Sequence, residues 1–353
     1  MLTWSGTARL LFVTLGVQLL LAVAQSSAAE PTSGLINPQG IGFDSANRKV
    51  WVVDPARDAV DVIDTASQAV REVAVGKAPV SVAVDAVAGR IYVANSGDGT
   101  VSAIDGVSQR VVATVAVGAH PYSIAVNRRT GEVFVSHTFS DRTTVLDGAT
   151  GGVTQLPTGS ADLIAIDEAA NTAYLLGYEG GTLTIVEGAG HAMRKRETGK
   201  HAWGMALNEA THTLYVARMG TGNVIALRGE TSSILPAGQT PCAVAVNAPR
   251  NVVYVANYAD SSVSVLNGET GRSVATIPVG EHPQALAVDE ERNLVYVVNT
   301  GGNSVTVLDG ERNRAVATMV AGKAPYALAV QPGSSRVYVA NEGGERAFAV
   351  VGR

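Results

Sequence analysis

Three of the six histidines share one place in a recurring segment. They are His120 in Val117-Gly118-Ala119-His120-Pro121, His282 in Val279-Gly280-Glu281-His282-Pro283, and His201, two residues before Trp203. Imidazoles offered from three separate units can ligate zinc, copper or a haem iron. The plainer reading is that the residue before proline orders a turn. A second set of residues suits binding rather than bond-making: Tyr122, Trp203 and Tyr326 at matching places, and Phe139, Tyr178 and Tyr258 in another loop set, with His137 and Arg218 beside them. Aromatic rings combine large contact area with a polar handle and are enriched at binding surfaces. Signatures of covalent catalysis are missing from the sequence: there is no Gly-x-Ser-x-Gly, no Walker loop, no His-Glu-x-x-His and no cysteine pair. Asn95-Ser96-Gly97-Asp98-Gly99 is rich in Gly and Asp, but its spacing is not that of an EF-hand. Cys242, the single cysteine, lies in the apolar run Pro241–Val246 without a neighbouring base, and reads as a small core residue.

These residues are carried by a repeat. An aromatic followed by an aliphatic residue recurs at Trp51, Tyr92, Phe134, Tyr174, Tyr215, Tyr254, Tyr296 and Tyr338, at intervals of 39–42 residues. A fixed period of that size marks a repeat architecture. Within one unit, Val80–Asp85, Arg90–Asn95, Thr100–Asp105 and Arg110–Gly118 are short, rich in β-branched residues, and bounded by Gly, Asn, Asp or Pro. They are too short for helices and read as four strands. Turn chemistry supplies the joins, as in Asp147-Gly148-Ala149-Thr150-Gly151 and Asn267-Gly268-Glu269-Thr270-Gly271.

The fold expected is all-β: a β-propeller of four-stranded antiparallel blades, eight in number, with seven and one irregular unit as the alternative. One such sheet cannot cover both its apolar faces, so neighbours must stack and the ring must close. The eighth unit ends at its third strand, near Val351, and residues 30–36 are the candidate for its fourth. In a meander the inter-blade connections share a rim with the loops between second and third strands. That rim collects Tyr122, Trp203, Tyr326, Phe139, Tyr178, Tyr258, His120, His137, His201, His282 and Arg218. It is therefore the expected recognition face. Asn95, Asn257, Asn299 and Asn341 end second strands and read as structural caps; Arg194-Lys195-Arg196 reads as a solvated outer edge.

The N-terminus differs in kind. Arg9 is the only charge before Glu30, Leu10–Ala24 is an apolar run, and small residues follow. This is the pattern of a secretory signal peptide over residues 1–29, cleaved after Ala29 or after Ala24. The run is short of the ~20 residues a spanning helix needs, so no membrane span is expected after cleavage. Residues 30–353 then form one propeller domain, placed in the periplasm, secreted or at the cell surface. The chain carries a formal charge of −5, which opposes nonspecific attraction to nucleic acid.

The segments Val117–Val126 and Val279–Val288, each followed by a Phe-Val or Tyr-Val strand, make this chain resemble the YVTN-repeat β-propeller family over nearly all of its length after the leader. The resemblance implies a secreted, periplasmic or surface protein, bacterial or archaeal, without a defined catalytic centre. Gly177 and Arg218 depart from the pattern where Asn is usual. The function expected is non-catalytic binding or scaffolding, with a protein, a polysaccharide or a cell-envelope component as partner. A propeller enzyme (a lactonase or lyase) or a redox-cofactor or metal-binding periplasmic protein is the first alternative, nucleic-acid binding the second. No cofactor is expected from any motif, with a metal or haem at the three histidines as the one opening.

Overall fold

The computed structural model describes residues 40–351, apart from 335 and 344–346. The signal segment and the candidate closing strand at residues 30–36 lie outside the described residues. Every regular element among them is a strand, and the strands form eight antiparallel meanders. Seven sheets have four strands, each in chain order. Blades 1 to 8 span residues 41–74, 79–116, 121–156, 163–197, 202–236, 241–278, 283–320 and 323–351. The last has three described strands, Lys323–Val330, Val337–Gly343 and Phe348–Val351.

The core lies between blades. One cluster joins Trp51, Val60 and Val62 of blade 1 to Val82, Ile91 and Val93 of blade 2. Equivalent clusters fill the successive seams up to blades 7 and 8. The recurring aromatic stands in these seams: Trp51, Tyr215, Tyr254 and Tyr338 are 0% exposed. Its ring crosses the seam and ends under the next blade's turn between third and fourth strands. The Tyr215 hydroxyl donates to Gly268 O at 3.3 Å. A Cβ on Gly310 would stand 2.7 Å from the Tyr254 hydroxyl, so that turn needs glycine. This is why the aromatic and the Gly turn share one period.

First strands ring the axis and approach closely. A Cβ on Gly204 would lie 2.6 Å from Cys242 O of the next blade. Fourth strands face outward, as in Arg110–Ala116, where almost every residue is exposed. The ends meet: Gln68 Nε2 donates to the Tyr338 hydroxyl at 3.0 Å, Arg336 donates to Thr65 O at 2.7 Å, and Gly40 lies against Tyr326.

Candidate functional site

The shared rim is built by one backbone bond repeated from blade to blade. The residue entering each blade gives its carbonyl to the loop between second and third strands. Ser96 N donates to Ala78 O, Thr138 N to His120 O, Met219 N to His201 O, Tyr258 N to Thr240 O and Thr300 N to His282 O, all at 3.0 Å. The accepting residue is left-handed each time, with φ between 47° and 58° at Ala78, His120, His201, Thr240 and His282. Histidine is among the non-glycine residues enriched in that region. His120, His201 and His282 are thus accounted for by backbone conformation. They are not brought together. Two blades separate each from the next, and among the described residues no three His, Cys, Asp or Glu side chains gather closely enough to hold a metal.

A second ring lies just inside. Most first strands bulge one residue into the chain, at Val80, Trp203, Cys242, Gln284 and Tyr326; Tyr122 lies in the same irregularity of blade 3 and Asp162 at the matching place in blade 4. The extra residue re-aims a side chain at the neighbouring blade, the usual effect of a bulge. The Cys242 thiol donates to Pro283 O at 3.1 Å, and burial pushes its pKa up to about 12. It is therefore an inert thiol. Tyr122 and Tyr326 are each 8% exposed, and burial raises both hydroxyls far above the phenol range. The sequence placed these two on the rim surface. The structure instead buries them, Tyr326 against Gly40 at the entry to blade 1 and Tyr122 near Asp162 of blade 4.

Gln284 is buried, and Thr300 places its single hydroxyl proton between Gln284 Oε1 and Pro325 O, both at 2.7 Å. One proton serves one acceptor. The consistent arrangement turns the Gln284 amide so that its NH₂ donates to Thr300 and Thr300 donates to Pro325 O. Two carboxyls stand near the buried tyrosines, Asp162 near Tyr122 and Glu342 near Tyr326. Burial raises Asp162, although Tyr178 N donates to it at 2.7 Å. Burial also raises Glu342, although the residue as a whole is exposed.

The accessible aromatics cluster at two seams. Tyr178 of blade 4 meets Trp203 of blade 5 edge-on, ring centres 4.9 Å apart at 82°, and touches His201 at 5.4 Å. His201 N donates to Tyr178 O, fixing the pair. Tyr258 of blade 6 stacks flat on His282 at 4.4 Å and 10°. A Cβ on Gly301 would come within 2.5 Å of His282 Nδ1, so the glycine lets the imidazole lie there. Phe139 stands in blade 3 where Gly97, Gly220 and Gly301 stand in others. It is 71% exposed and left-handed at φ 61°. The neighbouring loops put their left-handed residue two places later, at Gly99, Gly222 and Asn303. A bulky residue in this region costs about 1–2 kcal/mol, spent here on a ring left in water.

His137 was expected on the binding surface and is not there. It is 4% exposed; Nδ1 lies 3.0 Å from Ala119 O and Nε2 2.7 Å from Thr144 Oγ1. Burial lowers its pKa, so it is neutral, with the proton on Nδ1 and the Thr144 hydroxyl donating to Nε2. It replaces the strand-ending asparagine. Asn257 in that role donates to Ser262 and Ser264 at 3.0 and 2.9 Å. Arg218 fills the same place in blade 5, with Nε to Asn223 Oδ1 at 2.7 Å and NH1 to Thr198 O at 3.2 Å. Burial lowers its pKa, and its guanidinium braces the loop beside His201.

The sequence reading passed over the opposite rim. There the first strands of blades 1 to 7 end in buried Asp or Asn, and four of these residues bond to the next blade's turn. Asn127 donates to Asn171 Oδ1, Asn208 to Asn251 Oδ1 and Asn247 to Asn293 Oδ1, at 2.8–2.9 Å. Asp167 pairs with His212 Nδ1 at 2.6 Å. The signal was visible as an Asp or Asn seven residues before most aromatic anchors.

No family model matches the chain, and neither does any curated protein. Solved structures do match in fold. The dihydro-heme d1 dehydrogenase NirN in complex with DHE aligns with a TM-score of 0.73 at 13% identity, over 89% of this chain and 72% of that one. Kuenenia stuttgartiensis hydrazine synthase aligns at 0.62 and 17%, over 94% and 99%. A functionally unknown protein from Desulfotomaculum acetoxidans aligns at 0.62 and 12%, over 77% and 95%. At these identities the likeness is one of fold.

Proposed function

We propose that the chain is an extracytoplasmic recognition propeller of the YVTN-repeat kind, without catalysis of its own, that binds a macromolecular or cell-envelope ligand on the rim carrying Tyr178, Trp203 and Tyr258. The observation that carries this is the pair of aromatic–imidazole contacts, Tyr178–Trp203–His201 and Tyr258–His282, held half-exposed at two seams. Rigid aromatics that are part seated and part accessible are what recognition surfaces use. The constant parts of the repeat serve packing; these side chains differ from unit to unit. The test is sedimentation of the protein with an envelope fraction of the producing cells. Trp203→Ala with Tyr258→Ala should lose most of the bound protein while far-UV circular dichroism stays unchanged. Undiminished binding by the folded double variant would refute the proposal.

A second reading has one observation in its favour: the fold of the dihydro-heme d1 dehydrogenase is shared, and this rim carries aromatics and solvent-facing imidazoles at His120 and His201. It makes the chain a carrier of a planar redox cofactor. Titration with hemin should then give a saturable Soret shift that His201→Ala reduces; a shift equal in both proteins would count against it.

A further inference from the structure

We infer, resting on the recognition reading above, that the ligand of this rim is a neutral, extended glycan whose sugar rings stack on three separate aromatic platforms. The eight repeats act as an internal comparison. At the loop place after the strand-ending residue, blades 2, 3 and 7 carry Ser96, Thr138 and Thr300, whereas blades 4 and 6 carry Tyr178 and Tyr258. One residue further on, blades 2, 5 and 7 carry Gly97, Gly220 and Gly301, whereas blade 3 carries Phe139. Aromatics have therefore entered at three places along one arc, from blade 3 to the blade 6–7 seam. Phe139 is the sharpest case, because it is both left-handed and 71% exposed where blades 2, 5 and 7 use glycine and blades 1 and 6 alanine. Neither packing nor backbone preference explains a strained ring kept in water.

The arrangement selects the ligand class. The three platforms stand on different blades, at Phe139 in blade 3, at the blade 4–5 seam and at the blade 6–7 seam, so a ligand that meets all three must extend across several blades. A polymer of small units can, one unit to each platform. A polyanion needs a continuous cationic track. Here the cations are interleaved with acids and partly paired. Arg57 is held by Asp61 at 2.9 Å and Glu72 at 2.7 Å, and Arg142 lies 3.9 Å from Asp141. Lys200 shares the arc with Glu179, Asp260 and Glu281. A pyranose offers an apolar C–H face to a ring and hydroxyls that both donate and accept. Mixed side chains of that kind surround each platform.

The experiment is calorimetric titration of the intact soluble chain with neutral hexasaccharides of glucose, N-acetylglucosamine, mannose and galactose. Saturable binding of at least one is expected. It should weaken about tenfold in each of Phe139→Gly, Tyr258→Ala and Trp203→Ala, and change little between low and high salt. Phe139→Gly removes strain, so its loss of binding cannot be a loss of folding. Binding of none of the four sugars, binding indifferent to all three substitutions, or binding that falls steeply with salt overturns the glycan assignment. If envelope binding is lost in the variants but no hexasaccharide binds, the glycan assignment alone fails. If envelope binding is unchanged, the rim itself is the wrong surface.

Discussion

Closure of the ring between blade 8 and blade 1 can be tested at a single contact. A Cβ added at Gly40 would lie 2.5 Å from the Tyr326 hydroxyl, 2.9 Å from Cε2 and 3.1 Å from Cζ. Tyr326 is 8% exposed, so its ring has little room to retreat. Forcing a methyl into a filled seam costs about 1–3 kcal/mol. Gly40→Ala should therefore destabilise by about 2 kcal/mol. Tyr326→Phe removes the nearest atom, at a cost of its own of about 1 kcal/mol or less. In the double variant the nearest approach becomes 2.9 Å, and part of the alanine penalty should disappear. A double-mutant cycle on guanidinium unfolding, followed by the fluorescence of Trp51 and Trp203, should show a coupling of about 1 kcal/mol favouring the pair. Strict additivity would mean that the two residues do not touch. The first and last blades would then be packed in some other way.

Three further outcomes follow from named contacts. Tyr254→Phe should leave stability within about 0.5 kcal/mol, because that buried hydroxyl has no hydrogen-bond partner, whereas Tyr215→Phe should cost about 1 kcal/mol through its bond to Gly268 O; equal effects in parallel denaturation curves would contradict the seam geometry. Burial depresses the His137 pKa, so as pH falls through the ordinary histidine value near 6.5 the unfolded chain takes up a proton that the folded chain refuses. Stability should therefore decline on going down from pH 7, with a slope that His137→Asn reduces; equal slopes in the two proteins would show an exposed imidazole. Backbone N–H groups of Thr150 and Ala149 hold Asp147 below the usual carboxylate range, so its contribution is present above ~3.9 and lost as pH falls through the lower folded value. Asp147→Asn, which copies Asn267 at the same turn, should keep stability at pH 7 and flatten this acid loss in a pH titration of unfolding.

The sequence displayed the blades because one physical constraint repeats. Each sheet has an aromatic to fill its seam, most are received by a glycine turn in the next blade, and the two recur at the same interval. The rim was legible for a topological reason, since strand order alone decides which loops lie together. Side-chain direction was not. Trp203, Tyr122 and Tyr326 share one place in the repeat, yet the latter two are buried and the first is half-exposed. A bulge turns them, and no residue pattern announces a bulge in advance. His137 was recoverable: it follows Phe134 by three residues, as Asn95 follows Tyr92. Reading it as an asparagine substitute would have placed it inside the blade. His120, His201 and His282 looked like a ligand set because they share a repeat position. In a ring, sharing a position means being held apart.

The same geometry bears on why the proposed recognition surface lies on one rim. On the far rim, a buried Asp or Asn from one blade bonds to the neighbour's turn, as Asn127 does to Asn171 and Asn208 to Asn251. Those side chains are spent on holding adjacent blades in register. An unpaired polar group there would carry a burial penalty of about 1–3 kcal/mol, so the positions have little freedom to vary. On the near rim the carbonyls of Ala78, His120, His201, Thr240 and His282 bond within their own blades, each tying the residue that enters a blade to that blade's loop between second and third strands. A backbone bond places little demand on side-chain identity beyond tolerance of a left-handed conformation. Further along the loops Asp58 accepts from Ala78 N and Asn303 from Ala324 N, but the residues just after the strand ends are held through their backbone N–H groups, which leaves their side chains freer. Unit by unit they can become Ser96, Tyr178, Tyr258 or Glu342 without disturbing the ring.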